Sequence, residues 1–220
     1  MFVVKIIFAA ISFVIATVAF GIGIAKLFKK KKPLYLQLFI CAAGCFALQQ
    51  LSSVVNILCD TNTAANIGML GILGCNYFLF SANYGTIDKT VDDGVNTKKA
   101  RALSVIAPII MVVLVVAAFL VWREADMFCA IMWIIVLLPA LPASYFNLKH
   151  ILLPVDSFGF LKATKYCNIS ALCFYAITAI YAICSSFGND IVSGILSLLM
   201  ALLALALSLC AIKGEKKWGI

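Results

Sequence analysis

The chain has 220 residues, 65% of them hydrophobic and only 12% charged, with a mean hydropathy of +1.11. Soluble domains carry roughly 25% charged residues, so this composition excludes a soluble globular fold and marks an integral membrane protein. The net charge of +8 would suggest nucleic acid in a soluble protein; here the basic residues are read by the side of the bilayer they occupy, and no nucleic-acid partner is expected.

Apolar runs of bilayer length, about 20 residues each, fall at 6–27, 34–58, 67–84, 103–122, 127–146, 166–187 and 191–212. They predict an all-α membrane protein, a seven-transmembrane-helix bundle forming a single domain over 1–220. Barrel strands would be shorter and would alternate.

The first run continues to Leu27 and ends in lysines rather than a small-residue cleavage site, so it is expected to be a retained span and not a secretory signal. Ser12, Ala16, Ala19 and Gly23 recur on it at spacings of four and three, the pattern of a close helix–helix contact in lipid. Lys29, Lys30, Lys31 and Lys32 follow in the link "KKKKP". The second run places Gln49, Ser53 and Asn56 on one face. The third carries three glycines together with Asn76, Ser81 and Asn83, and puts Gly68, Gly71 and Cys75 on one side, which predicts a central position. Counted at about 1.5 Å per residue from the outer ends of their helices, Gln49 and Asn76 share a depth and are expected partners.

The fifth run contains "LLPALP", where Pro139 and Pro142 deprive the carbonyls of Ile135 and Leu138 of their helical donors. Such a bend is tolerated in lipid only where neighbours satisfy the freed groups. Tyr77 of the third run and Tyr175, Thr178 and Tyr181 of the sixth are candidates to join the polar interior. The seventh run repeats the small-residue seam with Gly194, Ser197, Ala201, Ala204 and Ser208, so the first and last helices are expected to touch.

Charge sets the orientation. With seven spans, one side receives Lys26, Lys29, Lys30, Lys31, Lys32, Lys89, Lys98, Lys99, Arg101, Lys149, Lys162, Lys165, Lys213, Lys216 and Lys217, and the other only Lys5 and Arg123. Cytoplasmic links keep Lys and Arg, which predicts an outside N-terminus and a cytoplasmic C-terminus, with the lysine cluster as a topology lock. Dropping the third helix would move Lys98, Lys99 and Arg101 to the N-terminal face and spoil the asymmetry. The same lysines attract anionic headgroups at about 1 kcal/mol each. The outer links are short and the inner ones longer, so a protein partner is expected on the inner face or in the membrane.

No Asp or Glu lies within a span, which argues against proton relays and ion-coupled carriers. His150, the single histidine, falls in an inner link, and neither a metal set nor a Ser/His/Asp constellation is visible. No catalytic residue, metal or cofactor is expected. What remains at depth is neutral and polar, and Gln49, Ser53, Asn56, Asn76, Tyr77 and Tyr175 are the candidate ligand-binding residues beside a purely structural hydrogen-bond role. The nine cysteines show no Cys-x-x-Cys spacing and read as small apolar fillers; pairing among Cys59, Cys129 and Cys184 at the outer ends is left open.

The basic first link "KKKKP", the second span "LYLQLFICAAGCFALQQL" and the third "NIGMLGILGCNYFLFSANY" resemble the N-terminal seven-helix sensor region of bacterial histidine kinases, most closely over residues 20–120. The resemblance implies a receptor-like role in a bacterial cytoplasmic membrane. Those proteins carry a signalling domain after the last helix, whereas this sequence runs on only to "KGEKKWGI", so a signal is expected to pass to a separate partner. The function read from the sequence is a small receptor-like sensor or accessory membrane protein; the alternative is a carrier for a small uncharged solute.

Overall fold

A computed structural model describes residues 2–28, 33–59, 67–83, 98–153 and 159–216. Among them the chain is helical throughout, with no strand: α1 (Phe2–Leu27), α2 (Leu34–Leu58), α3 (Ile67–Ser81), α4 (Lys98–Ser104), α5 (Ile106–Ala125), α6 (Met127–Leu137), α7 (Ala140–Leu152), α8 (Gly159–Ser185) and α9 (Asp190–Lys216). Lys29 to Lys32 lie outside the described residues. Six rods are long and apolar enough to cross a membrane, namely α1, α2, α4 with α5, α6 with α7, α8 and α9. That is the mark of a multi-pass membrane protein. The helix α3 is shorter at 15 residues, about 22 Å against a hydrocarbon core of about 30 Å.

The breaks follow from the backbone chemistry of proline, which has no N–H to donate. Pro108 leaves the Ser104 carbonyl without its helical donor, and α4 passes to α5 through a tighter turn in which Val105 N–H bonds Ala102 O at 3.3 Å. Pro139 and Pro142 divide α6 from α7, and the Leu138 carbonyl takes the Leu141 N–H at 3.2 Å instead. At the link between α5 and α6 the Asp126 carboxylate accepts from the N–H groups of Phe128 and Cys129 at 2.9 and 3.1 Å, a cap that lets one residue join two helices. Asn189 does the same for α9 through Val192 N–H at 3.2 Å.

Several helices outrun the apolar runs. The α4–α5 rod begins at Lys98 rather than 103, α7 continues to Leu152 rather than 146, α8 starts at Gly159 and α9 reaches Lys216. Lysine and arginine keep long apolar stems, so a helix does not end where its hydropathy falls. At the other extreme, α3 gives way at residues 82–83 to a single wider turn. His150, expected in a link, stands on α7 and is buried, as is Lys149.

Around the bundle, α1 packs on α2, α2 on α3, α3 on α6 and α7, that rod on α5 and α8, α8 on α9, and α9 back on α1 and α2. Half of the apolar stretch of α2 and of the α6–α7 rod is buried, against 22% for α1 and for the α4–α5 rod, so the latter two are peripheral. Their outward faces present apolar side chains such as Val14, Val18, Ile109 and Val113 to the surroundings, the arrangement expected of helices solvated by lipid. Leu70 and Tyr77 likewise place one face of α3 on the outside, so α3 is wedged between neighbours rather than central.

Small residues set the close approaches. Ser12, Ala16, Ala19 and Gly23 are buried on α1, as are Ala201, Ala204 and Ser208 on α9. A Cβ at Gly194 would meet the Phe8 ring at 2.7 Å, so α9 and α1 touch there. Gly23 faces the Ile40 side chain of α2, and the seam on α1 therefore serves two neighbours. The tightest backbone approach is at Gly71, where a Cβ would stand 2.7 Å from the Cys45 carbonyl oxygen and 2.9 Å from the Gln49 amide nitrogen. All nine cysteines are free thiols, Cys59, Cys129 and Cys184 included.

Candidate functional site

The polar interior divides into separate groups. Nearest the end where Lys5 and Asp190 form an ion pair at 2.8 Å, a chain of neutral hydrogen bonds crosses from α9 to α2. The Ser197 hydroxyl donates to Gln50 Oε1 at 3.0 Å, Gln50 Nε2 to Gln49 Oε1 at 2.6 Å, and Gln49 Nε2 to Ser53 Oγ at 3.1 Å. The Ser53 hydroxyl returns to the Gln49 carbonyl at 3.2 Å. Gln50 is fully buried and is the junction that sequence reasoning missed. The signal was the doubled "QQ": consecutive helical residues point about 100° apart, so two amides on a helix packed on both flanks reach two different neighbours. Ser197, assigned above to packing alone, is also a hydrogen-bonding residue.

At mid-depth the expected Gln49–Asn76 pair is replaced by a different bond. Asn76, fully buried on α3, donates from Nδ2 to the Val136 carbonyl at 2.8 Å. Val136 lies in the last turn of α6, where the proline break separates it from α7. The side chain of one helix thus supplies a donor where the break in another disturbs the helical ladder, as lipid requires of any bent span. Equal depth was the right criterion for Asn76 and the wrong choice of partner, because a backbone carbonyl beside the break is the more demanding acceptor. Tyr175, also buried, donates its hydroxyl to the Asn76 carbonyl at 3.5 Å. Tyr77 is 52% exposed on the outer face of α3 and takes no part; Asn56 is half-buried on α2. Around this layer Phe46 and Phe174 meet edge to face at 5.3 Å, and Trp133 and Tyr181 at 6.1 Å, which encloses the polar contacts in aromatic surface.

Two turns farther along, asparagines recur. Asn83 Nδ2 donates to Asn147 Oδ1 at 2.6 Å between α7 and the turn that follows α3, and both residues are fully buried. Asn168 on α8 is fully buried as well. Thr178 bonds the Phe174 carbonyl of its own helix at 2.8 Å and also reaches Met200 Sδ on α9 at 3.4 Å.

A cavity of about 440 Å³ opens between α1, α2 and α3, lined by Phe13, Thr17, Phe20, Gly44, Leu48 and Phe78 among others. Its volume falls in the range of small-molecule sites, but it lacks the convergent polar groups that orient a solute. Among the described residues no set of three or more His, Cys, Asp or Glu is grouped to hold a metal ion. The interior hydrogen bonds described above join neutral groups, and Lys149 and His150 are buried on α7. Comparison with protein families, with curated proteins and with solved structures returned no match.

Proposed function

We propose that the chain crosses a cytoplasmic membrane seven times, N-terminus outside and C-terminus inside, and acts as a small receptor-like sensor or accessory protein that signals through a separate cytoplasmic partner. The observation that carries this reading is the bond from Asn76 to the Val136 carbonyl at the broken α6–α7 rod. A helix interrupted by two prolines has more than one available bend, and a single neutral hydrogen bond of about 1 kcal/mol net is a fitting latch between them. The rod runs on into α7, which carries Lys149 and His150 toward the basic end of the bundle. A change of bend at mid-depth therefore displaces the inner end, where the long links and the basic residues offer a partner its grip.

The basic asymmetry supports the orientation, and α3 serves as the seventh span with the bilayer thinned around its short apolar length. The second reading, a carrier for a small uncharged solute, is favoured by one feature, the buried asparagines near the basic end. The deciding experiment uses the purified chain in liposomes. A sensor gives no flux of labelled neutral solutes, and cysteines introduced into its inner links, which hold none of the nine native ones, change accessibility to water-soluble thiol reagents when the latch is cut by Asn76→Leu in a background freed of native cysteines. Solute flux by the protein alone, with unaltered link accessibility, would refute the sensor reading in favour of the carrier.

A further inference from the structure

The polar interior repeats itself along the bundle. On α3 and its continuation Asn76 and Asn83 are seven residues apart, and on α8 Tyr175 and Asn168 are seven apart; each interval is two turns, about 10.5 Å, along one face. The bonds from Asn76 to Val136 and from Asn83 to Asn147 show that α3 runs parallel to the α6–α7 rod. Tyr175 meets Asn76 at the upper level, and α8 packs beside α7 and runs antiparallel to the α6–α7 rod, since Trp133 meets Tyr181 while Val136 shares Asn76 with Tyr175. Asn168 therefore falls at the level of the Asn83–Asn147 pair, to within about a turn. It is on the inward stripe that also holds Ala171 and Tyr175, all of them fully buried.

This lower layer is incompletely bonded. Asn83 Oδ1, Asn147 Nδ2 and both amide atoms of Asn168 are buried without a hydrogen-bond partner among the described residues. The unfilled valences are two acceptors and two donors, and they belong to neutral groups. A buried amide left dry costs free energy comparable to a lost hydrogen bond for each atom. An occupant shared by the four atoms would be small, uncharged, and able both to donate and to accept. An anion would leave the two acceptors facing charge, and a cation the two donors.

We propose that the asparagine layer of Asn83, Asn147 and Asn168 is a binding site for small uncharged molecules that both donate and accept hydrogen bonds, of the primary-amide class or water itself. The inference stands apart from the choice between sensor and carrier, since either could use such a site. It differs from the mid-depth latch, whose Asn76 donor is already engaged.

The test compares full-length wild type with Asn168→Leu and Asn168→Ala by thermal melting in detergent, with and without acetamide as the probe. An occupied layer makes both variants less stable, with a melting temperature lower by about 2–4 °C for each contact of about 1 kcal/mol lost. The alanine variant adds no bulk and the leucine variant leaves no void, so a loss shared by both is neither a clash nor a cavity effect. A saturable rise in the melting temperature of wild type with acetamide, absent from both variants, identifies an amide-type solute. Loss of stability in both variants with no response to acetamide identifies water. If Asn168→Leu is as stable as wild type or more stable, the amide was dry and unpartnered, and the proposal is overturned. Failure here leaves the flux and accessibility results on the Asn76 latch untouched, so the two readings fail separately.

Discussion

Asn76→Leu is the sharpest probe of the latch. It removes the 2.8 Å donor to the Val136 carbonyl and leaves that buried acceptor without it, at a cost of about 1–3 kcal/mol. Asn76 Oδ1 is itself buried without a partner among the described residues, so its removal returns part of that cost. The net expectation is about 1–2 kcal/mol, or a melting temperature lower by about 2–8 °C for a chain of this length. The reasoning becomes decisive in a second background. Pro139→Ala with Pro142→Ala restores backbone donors for the Ile135 and Leu138 carbonyls and allows α6 and α7 to join, so that the Val136 carbonyl takes the Ala140 N–H of one continuous helix. In that background the cost of Asn76→Leu should fall to about 0.5 kcal/mol or less, a coupling measurable by double-mutant cycle. Thermal melting of the four proteins in one detergent is the assay. Equal costs of Asn76→Leu in both backgrounds would show that the asparagine does not serve the break, and the latch would be discarded.

Three further outcomes test other parts of the structure. Gly71→Ala should destabilise by about 1–3 kcal/mol, because the added carbon meets helix backbone at 2.7 and 2.9 Å, whereas Gly21→Ala, with nothing within 4 Å, should be neutral or slightly stabilising; equal stability of the two variants would contradict the approach of α3 to α2. Gln50→Leu should lower stability more than Ser197→Ala, since Gln50 bonds both Gln49 and Ser197 and Ser197 only Gln50, and the reverse order in melting experiments would disprove the relay. A reporter fused after Ile220 should be active only on the cytoplasmic side; activity outside would overturn the seven-span orientation.

The membrane character and the positions of the long helices are determined by the sequence alone, because burial in lipid requires about 20 apolar residues in a row and the lysines interrupt those runs. The small-residue seams are legible for the same reason: spacings of three and four leave only one face of α1 or α9 on which neighbours come close. Pro139 and Pro142 also locate the break between α6 and α7 in advance, since a missing N–H is a property of the residue and needs no context. Partnership is a different matter. Gln49 and Asn76 share a depth, yet Asn76 is spent on Val136, because the identity of the nearest unsatisfied group depends on which helix lies beside which and how each is rotated. Tyr77 and Asn76 are adjacent in the chain and about 100° apart on the helix, and only packing decides that one faces the core and the other the outside. Asn168 carries no distinguishing pattern within its apolar run; its place beside the level of Asn83 and Asn147 arises from the antiparallel return of α8 against α7, a relation between distant segments that no local spacing encodes.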